Sequence, residues 1–337
     1  MNDKKDRFSR RMADILNHGA LNLAMALGYR NRLFDVLEEL GRPATVPEIA
    51  GAAGLDARYL REWLGVMATG RVVELSRNPE GEETYLLPPE HAAFLTRKAG
   101  RANLGVYAQE IPLLASCALK PVERGFRTGE GVPFSFYPDF QRFMTELANA
   151  AHRELLVERF IPAVDGGRLE ARLQRGIRVC DLGCGEGVAL NLMAGAFPES
   201  RFTGIDVDEP AVETGRTEAR KMGLGNAEYW VMDAAGIEGM EALSERFDYV
   251  CAFDAVHDQT RPLETLRGVR YMLAPGGMFS MVDIDAGSDH AGNLDHPMGP
   301  FLYTVSLMHC MPVGLNDNGA GLGMMWGRER AEAMLRE

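Results

Sequence analysis

Apolar residues recur at helical spacing along the first 70 residues of the chain. The stretch NRLFDVLEEL at 31–40 is amphipathic and ends before Gly41, a residue typical of helix C-termini. Two short apolar runs, VVELS and TYLL, then flank the turn residues NPEGEE, a pattern typical of a β-hairpin. The pattern predicts helices at 8–28, 31–40, 45–50 and 56–70, and strands at 72–76 and 84–87.

Helices followed by a hairpin form the element order of a winged helix-turn-helix domain, which we expect at residues 1–100. Residues 101–174 look helical but contain interruptions such as Pro112 and Pro121. We expect this segment to be a helical bridge that contributes to the active site. The pattern then changes to alternating strands and helices, which predicts a ligand-binding domain at residues 175–337.

The strands of this last domain are nearly continuous apolar runs, which are typical of a parallel sheet covered by helices on both faces. Strands are predicted at 177–183, 201–207, 227–233, 248–256 and 278–284, with helices near 188–197, 210–222 and 261–273. The fold class is therefore α/β, with a Rossmann-like sheet preceded by a mainly helical domain.

Composition and charge argue against several classes of partner. The 337 residues carry a net charge of −12, so the chain has no general attraction for nucleic acid or anionic membranes. No apolar run approaches the ~18 residues of a membrane span, and the charged N-terminus does not resemble a signal peptide. The five cysteines form no CxxC pair. We therefore expect a cytoplasmic protein with reduced thiols and no bound metal.

The segment DLGCGEG at 181–187 carries the strongest chemical signal. Gly183, Gly185 and Gly187 follow a strand and open a helix, where glycine lets the backbone approach a ligand closely. Their GxGxG spacing differs from the GxGxxG of dinucleotide-binding loops. Asp181 at the strand end would repel a pyrophosphate but favours the cationic sulfonium and amino groups of S-adenosylmethionine. The loop therefore favours S-adenosylmethionine as the cofactor.

Further polar positions follow the next two strands. Asp206 ends the second strand, where a carboxylate can accept hydrogen bonds from both ribose hydroxyls of a nucleoside. Asp233 and Ala234 follow the third strand and can reach the adenine amino group; a turn or cap role is the alternative for Asp233. These positions fall at the carboxyl ends of neighbouring strands, where open α/β sheets bind their ligands.

In this order, DLGCGEG, GIDVD, VMDA, YVCAFDAVHD and LAPGGMF resemble the class I S-adenosylmethionine-dependent methyltransferases. With its helical front end, the chain is similar to bacterial two-domain methyltransferases that carry an N-terminal winged helix, including a mycobacterial-type subgroup. The segments DAVHDQTRP, PFLYTVSLMHCMP and GAGLGMMWG are typical of that subgroup. Small-molecule O-methyltransferases and the sulfur methyltransferases of dimethylsulfoniopropionate synthesis share this layout.

The resemblance implies roles for individual residues, with S-adenosylhomocysteine as the product. The loop glycines would contact the methionine end of the cofactor, and Phe253 and Asp254 would border the transferred methyl group. The expected cofactor-binding residues are Tyr137, Asp181, Gly183, Gly185, Gly187, Asp206, Val207, Asp233, Ala234, Phe253 and Asp254. Members of the class usually carry two more strands after the last helix, whereas this chain ends at AMLRE. We therefore expect a five-stranded sheet that lacks strands six and seven.

The residues on the acceptor side follow from the chemistry of the acceptor. A hydroxyl or thiol acceptor benefits from a base, whereas a thioether needs none. His257 follows the fourth strand beside Asp258, so we expect these two as catalytic residues, with a structural histidine as the alternative. A thioether S-methyltransferase of the dimethylsulfoniopropionate type would not need them. Tyr303, His309 and Trp326 could line the acceptor pocket, or pack in the core beneath a covering helix.

A DNA-binding regulator that senses S-adenosylmethionine is a further alternative. Residues 1–100 carry 14 Lys and Arg against 14 Asp and Glu, so this region lacks the basic surface that phosphate contacts require. We therefore expect an enzyme that methylates a small-molecule acceptor by in-line displacement. We also expect a homodimer built on helix 8–28, because its apolar residues cover more than one face.

Overall fold

The computed structural model describes residues 2–337, apart from the side chains of residues 2, 101, 141 and 146. The described residues group into two compact units that divide between Leu113 and Leu114. The segment 101–174, expected as a bridge, is thus shared between the two units. Among the described residues, no helix is both long and apolar enough to cross a membrane.

The N-terminal unit has the predicted order of helices followed by a hairpin. Its elements are α1 (Asn2–Arg30), α2 (Leu33–Leu40), α3 (Val46–Ala53), α4 (Ala57–Thr69), β1 (Glu74–Arg77), β2 (Glu83–Leu86) and α5 (Pro89–Leu95). β1 and β2 pair antiparallel. Asp56 caps α4, because its carboxylate accepts hydrogen bonds from the backbone N–H groups of Arg58 and Tyr59.

A hydrophobic core joins the helices of this unit. Phe34, Leu37 and Leu64 are buried in it, and the Trp63 indole donates a 2.8 Å hydrogen bond to the Ala24 carbonyl of α1. α1 also carries apolar side chains that remain uncovered. Its residues that are more than half exposed are Phe8, Leu16, Leu23 and Leu27. An uncovered apolar face of this kind is compatible with the predicted dimer, which stays a prediction.

The described residues of the C-terminal unit form a five-stranded parallel sheet. Its strands are β3 (Arg178–Leu182), β4 (Arg201–Asp206), β5 (Ala227–Val231), β6 (Phe247–Phe253) and β7 (Leu273–Val282), in the spatial order β5-β4-β3-β6-β7. The helices that follow α5 are α6 (Glu110–Thr128), α7 (Pro138–Leu155), α8 (Ile161–Ala163), α9 (Arg168–Arg175), α10 (Val188–Ala196), α11 (Glu209–Lys221), α12 (Pro262–Met272), α13 (Gly299–Val305), α14 (Met311–Gly314) and α15 (Arg328–Arg336).

This sheet confirms the predicted Rossmann-like fold and its five strands. The chain runs outward from β3 to β4 and β5, then returns to β6 on the other side of β3. The order of the strands therefore reverses at β3, which is where open α/β sheets bind ligands at their carboxyl ends. The loops after β3, β4 and β6 all begin at this edge.

β6 ends three residues before the predicted boundary. Asp254 adopts a left-handed backbone with φ +49°, which an extended strand cannot continue through. His257 and Asp258 therefore lie in the loop that follows β6, not at the end of a strand.

α7 and α13 each continue into a π-helical turn, at Leu156–Phe160 and Ser306–Cys310 respectively. The second turn precedes Pro312, which has no N–H to donate to the Met308 carbonyl four residues earlier. That carbonyl instead accepts a 2.8 Å hydrogen bond from the Tyr137 hydroxyl. π-helical turns within α-helices occur frequently at functional sites.

Candidate active site

The loop between β3 and α10 has a left-handed backbone at each of its three glycines. The φ angles of Gly183, Gly185 and Gly187 are +74°, +49° and +67°, so a residue with a side chain would be strained there. A Cβ on Gly187 would lie 2.2 Å from the Tyr229 hydroxyl oxygen, whereas a Cβ on Gly185 would meet open space. The loop is therefore packed at Gly187 and open to a ligand at Gly185.

Asp206, at the end of β4, holds this loop from the neighbouring strand. Its Oδ2 accepts a 2.8 Å hydrogen bond from the Gly185 N–H, and its Oδ1 accepts one of 2.9 Å from the Asp208 N–H. Burial raises the pKa of the carboxyl group, and these backbone hydrogen bonds oppose that rise. Each oxygen keeps a lone pair for a ligand at the open part of the loop.

Asp181 lies within β3 and is 2% exposed. Its Oδ1 is 3.7 Å from the Cys251 sulfur, and burial raises its pKa to about 7. A nearby cation would favour the ionised form. Asp181 therefore offers no exposed contact surface, and its role toward the cofactor stays a prediction.

The residues predicted to contact adenine differ in their exposure and in their hydrogen bonding. Val207 is 64% exposed, so it can offer an apolar surface to a ring. Asp233 accepts hydrogen bonds from Arg261 at 2.6 Å and from the Ala235 N–H at 2.9 Å, which caps the short 3-10 turn that begins at Ala234. Asp233 thus has the cap role that was its alternative, and its contact with the adenine amino group stays a prediction.

The loop after β6 contacts the glycine loop directly. A Cβ on Gly183 would lie 2.5 Å from the Ala255 Cβ. Phe253, at the end of β6, packs against the Phe160 ring at a centroid distance of 5.5 Å, while Asp254 beside it is exposed. The left-handed backbone of Asp254 is of the kind that concentrates at ligand sites. The two loops therefore border one region at the carboxyl edge of the sheet.

A buried polar cluster surrounds His257 in this second loop. The His257 Nδ1 lies 2.8 Å from the Asp283 Oδ1, and its Nε2 lies 3.4 Å from the Asp258 Oδ1. Asp283 follows β7 directly. Because Phe253 and Val282 are partners in the β6–β7 register, the two strands end side by side. Asp283 was not predicted as a site residue, because it fell inside the predicted strand 278–284, whereas β7 ends at Val282.

The π-helical turn after α13 completes the cluster with His309 and Cys310, which are both buried. The His309 Nδ1 lies 3.9 Å from the Asp258 Oδ2. The donor atoms of His257, Asp258 and Cys310 all lie within 4.8 Å of one another. His309 was predicted on the acceptor side, whereas Cys310 was not, since its neighbours in the cluster are distant in sequence.

The two histidines of the cluster respond differently to burial. Burial lowers the pKa of both, but for His257 the Asp258 charge and the hydrogen bonds with Asp283 and Cys310 outweigh it, so its pKa lies well above the usual value. For His309 burial dominates, and its pKa is lowered. Among the described side chains, the Asp258 Oδ1, the Asp283 Oδ2 and the His309 Nε2 are buried without a hydrogen-bond partner. A buried polar atom without a hydrogen bond calls for an explanation such as a bound ion or an ordered water.

Other predicted site residues have different environments. Tyr137 is fully buried, and its ring packs on His309 at a centroid distance of 4.7 Å. The Tyr303 hydroxyl accepts a 3.0 Å hydrogen bond from the Asn293 amide. Trp326 is 3% exposed and packs in the hydrophobic core. The structure thus gives Trp326 the core role that was its alternative, and brings His309 but not Trp326 to the polar cluster.

Comparison with known families matches two separate parts of the chain. Residues 19–97 match the Rv2258c-like winged HTH domain, and residues 173–299 match the family described as a methyltransferase domain. The ubiquinone biosynthesis O-methyltransferase of Roseobacter denitrificans is 31% identical over 104 residues, which are 31% of this chain and 40% of that protein. The chain therefore spans less than half the length of this curated relative.

Solved structures match over nearly the whole chain. An O-methyltransferase family protein from Burkholderia thailandensis has a TM-score of 0.65 at 15% identity, covering 97% of this chain and 90% of that one. Human N-acetylserotonin methyltransferase, solved in complex with S-adenosylmethionine, has a TM-score of 0.61 at 14% identity with the same coverage. At these identities the likeness shows the fold.

Proposed function

The chain carries an Rv2258c-like winged HTH domain followed by a methyltransferase domain of the class I fold, and from this premise we propose that it transfers the methyl group of S-adenosylmethionine to a small-molecule acceptor. The observation that carries the proposal is the open backbone at Gly185, held by the Asp206 carboxylate at the carboxyl edge of the sheet. S-adenosylhomocysteine is then the second product.

The residues at this edge fit the cofactor. The glycine backbone admits the methionine end, the remaining lone pairs of Asp206 suit ribose hydroxyls, and the exposed Val207 suits the adenine ring. A cationic ligand favours the ionised form of Asp181, whose pKa burial raises to about 7. When bound, the cofactor supplies an electrophilic methyl group on a positively charged sulfur.

The acceptor side lies at His257 and Asp258, because their loop contacts the glycine loop through Ala255. A hydroxyl or thiol acceptor must lose a proton as it is methylated. The Asp283 carboxylate orients the His257 ring through Nδ1, and Nε2 faces the cluster. Because the pKa of His257 is raised, Nε2 takes the acceptor proton only in the deprotonated fraction of the protein, so the rate of transfer should rise with pH. Burial of the cluster excludes water, which would otherwise compete with the acceptor.

The alternative acceptor is a thioether, which loses no proton. A buried cluster of two histidines and two carboxylates has no task in that reaction and costs free energy to bury. The cluster therefore favours a hydroxyl or thiol acceptor over a thioether.

The proposal is tested with methyl-labelled S-adenosylmethionine and fractionated metabolite extracts. The parent protein should produce a labelled small molecule, detected by mass, and the Asp206→Asn variant should produce far less at the same cofactor concentration. Failure of the folded parent protein to bind S-adenosylmethionine in calorimetry would refute the proposal.

A further inference from the structure

We propose that His257, Asp258 and Cys310 form a binding site for a divalent transition-metal ion, with Zn²⁺ as the best fit. The sequence predicted no metal, because none of the cysteines has the spacing of a metal-binding motif. The site goes beyond the proposed function, since metal binding requires neither the cofactor nor a methyl acceptor.

The distances between the donor atoms suit a small ion. Zinc–ligand bonds place the donor atoms of a tetrahedral site about 3.3–3.8 Å apart. The His257 Nε2 and the Asp258 Oδ1 are 3.4 Å apart, and the Cys310 sulfur completes a set within 4.8 Å. A side-chain adjustment of about 1 Å would close the set around the ion.

His257 already has the hydrogen bonding of a metal-bound imidazole. Its Nδ1 is held by the Asp283 Oδ1 at 2.8 Å, while its Nε2 faces Asp258. Histidines that bind metals almost always hold their second ring nitrogen with a carboxylate, a carbonyl or a water. Asp283 is therefore the residue that orients the ligand.

The unpartnered atoms supply independent support. The Asp258 Oδ1 is buried and receives no hydrogen bond from the described residues; its nearest polar neighbour is the His257 Nε2, 3.4 Å away. A metal ion held between these two atoms would bind both of them directly and satisfy the carboxylate oxygen. His309, 6% exposed, lies 3.9 Å from the other oxygen of Asp258 and can steady it.

The chemistry of the donors selects the class of ion. Mg²⁺ and Ca²⁺ prefer sites built from oxygen atoms, whereas a nitrogen, an oxygen and a thiolate sulfur together suit zinc and related transition metals. Three protein ligands leave a fourth position of the tetrahedron open.

One consequence rests on the proposed function, although the site itself does not. The ion would occupy the His257 Nε2, the atom to which that function assigns the acceptor proton. Bound Zn²⁺ would therefore inhibit methylation of a hydroxyl or thiol, and a chelator would restore it.

The test uses Co²⁺, a spectroscopic substitute for Zn²⁺, with the full-length, tag-free protein after removal of metals. We expect one equivalent to bind, with the visible bands of tetrahedral Co²⁺ and a near-ultraviolet thiolate-to-cobalt band, and Zn²⁺ to displace it. Cys310→Ser should lose the thiolate band, whereas Cys117→Ser, outside the cluster, should keep it. The absence of stoichiometric Co²⁺ binding, or a thiolate band that survives in Cys310→Ser, would overturn the site.

Asp283→Asn provides a second measurement should Cys310→Ser fail to fold. This variant keeps all three ligands, so the thiolate band should remain while the affinity falls about 10- to 100-fold, as is typical when the partner of a metal-bound histidine is lost. An unchanged affinity, measured by competition with a chelator, would contradict the proposed arrangement.

Discussion

The Nδ1 of His257 lies 2.8 Å from the Oδ1 of Asp283, although 26 residues separate the two in sequence. Neighbouring parallel strands end at the same edge of a sheet, and β6 and β7 are such neighbours, with Phe253 opposite Val282. Asp283, which follows β7, therefore lies beside the loop that follows β6. The contact between His257 and Asp283 therefore follows from the neighbouring positions of β6 and β7 in the sheet.

Two glycines of the same loop should respond differently to alanine. Gly185→Ala places a Cβ in open space, so it should cost only the ~1–2 kcal/mol of a left-handed alanine while obstructing the cofactor. Gly187→Ala adds a clash with the Tyr229 ring, so it should lower the melting temperature further. Thermal unfolding and calorimetry measure the two effects. Equal melting temperatures for the two variants would show that the Tyr229 contact does not limit this position.

Loss of the Asp206 charge should weaken cofactor binding. Asp206→Asn keeps an acceptor for the backbone but removes a charge-assisted hydrogen bond, worth about 1.5–3 kcal/mol, or roughly 10- to 150-fold in Kd. Glu209→Ala, which removes an exposed acid at the start of the next helix, is the matched control. Calorimetry giving the same Kd for Asp206→Asn and the parent would remove Asp206 from the ribose site.

Asp181 should make the folded protein less stable as the pH rises from about 4 to 7. In this window the folded state keeps a proton that the unfolded chain has lost, because burial raises the pKa of the folded carboxyl to about 7. A shift of this size corresponds to about 4 kcal/mol at most.

Asp181→Asn removes this titration. The stability difference between variant and parent, measured by urea unfolding, should therefore favour the variant by a few kcal/mol more at pH 8 than at pH 4. A difference that does not change with pH would show that Asp181 is ionised in the folded protein throughout this range.

Removal of the His257 imidazole should slow methyl transfer without loss of the cofactor. His257→Ala should lower the single-turnover rate by the ~10²–10⁴ typical of a lost proton acceptor, with cofactor affinity within a few-fold of the parent. His18→Ala, on the exposed surface of α1, is the matched control. A rate close to that of the parent would instead favour a thioether acceptor, which gives up no proton.

The uncovered face of α1 should be the dimer interface. Leu16 and Leu23 are 68% and 53% exposed, and apolar surface of this kind is stabilised by a second copy. Leu16→Glu with Leu23→Glu should shift the mass in light scattering from dimer to monomer, whereas Tyr59→Glu, on α4, should not. A parent protein with a monomer mass at all concentrations would contradict the dimer.

The two sides of the candidate site differed in how far the sequence could predict them. Asp206 and the glycines belong to continuous strand–loop units, so their positions follow from local pattern. Asp283 and Cys310 reach His257 only through strand order and a π-helical turn, which no local pattern encodes. The early end of β6 at Asp254 was equally hidden, because its left-handed backbone depends on the surrounding fold.

The π-helical turn at Ser306–Cys310 amounts to one extra residue in an otherwise regular helix. Each residue advances an α-helix by about 100°, so a helix without the extra residue would turn everything beyond it by that angle. Such a helix could keep His309 and Cys310 facing Asp258, or keep the packing of α14, but not both. The one extra residue therefore allows His309 and Cys310 to face Asp258 while α14 keeps its packing. Deletion of that residue would turn either these two side chains away from Asp258 or α14 away from the residues that it packs against.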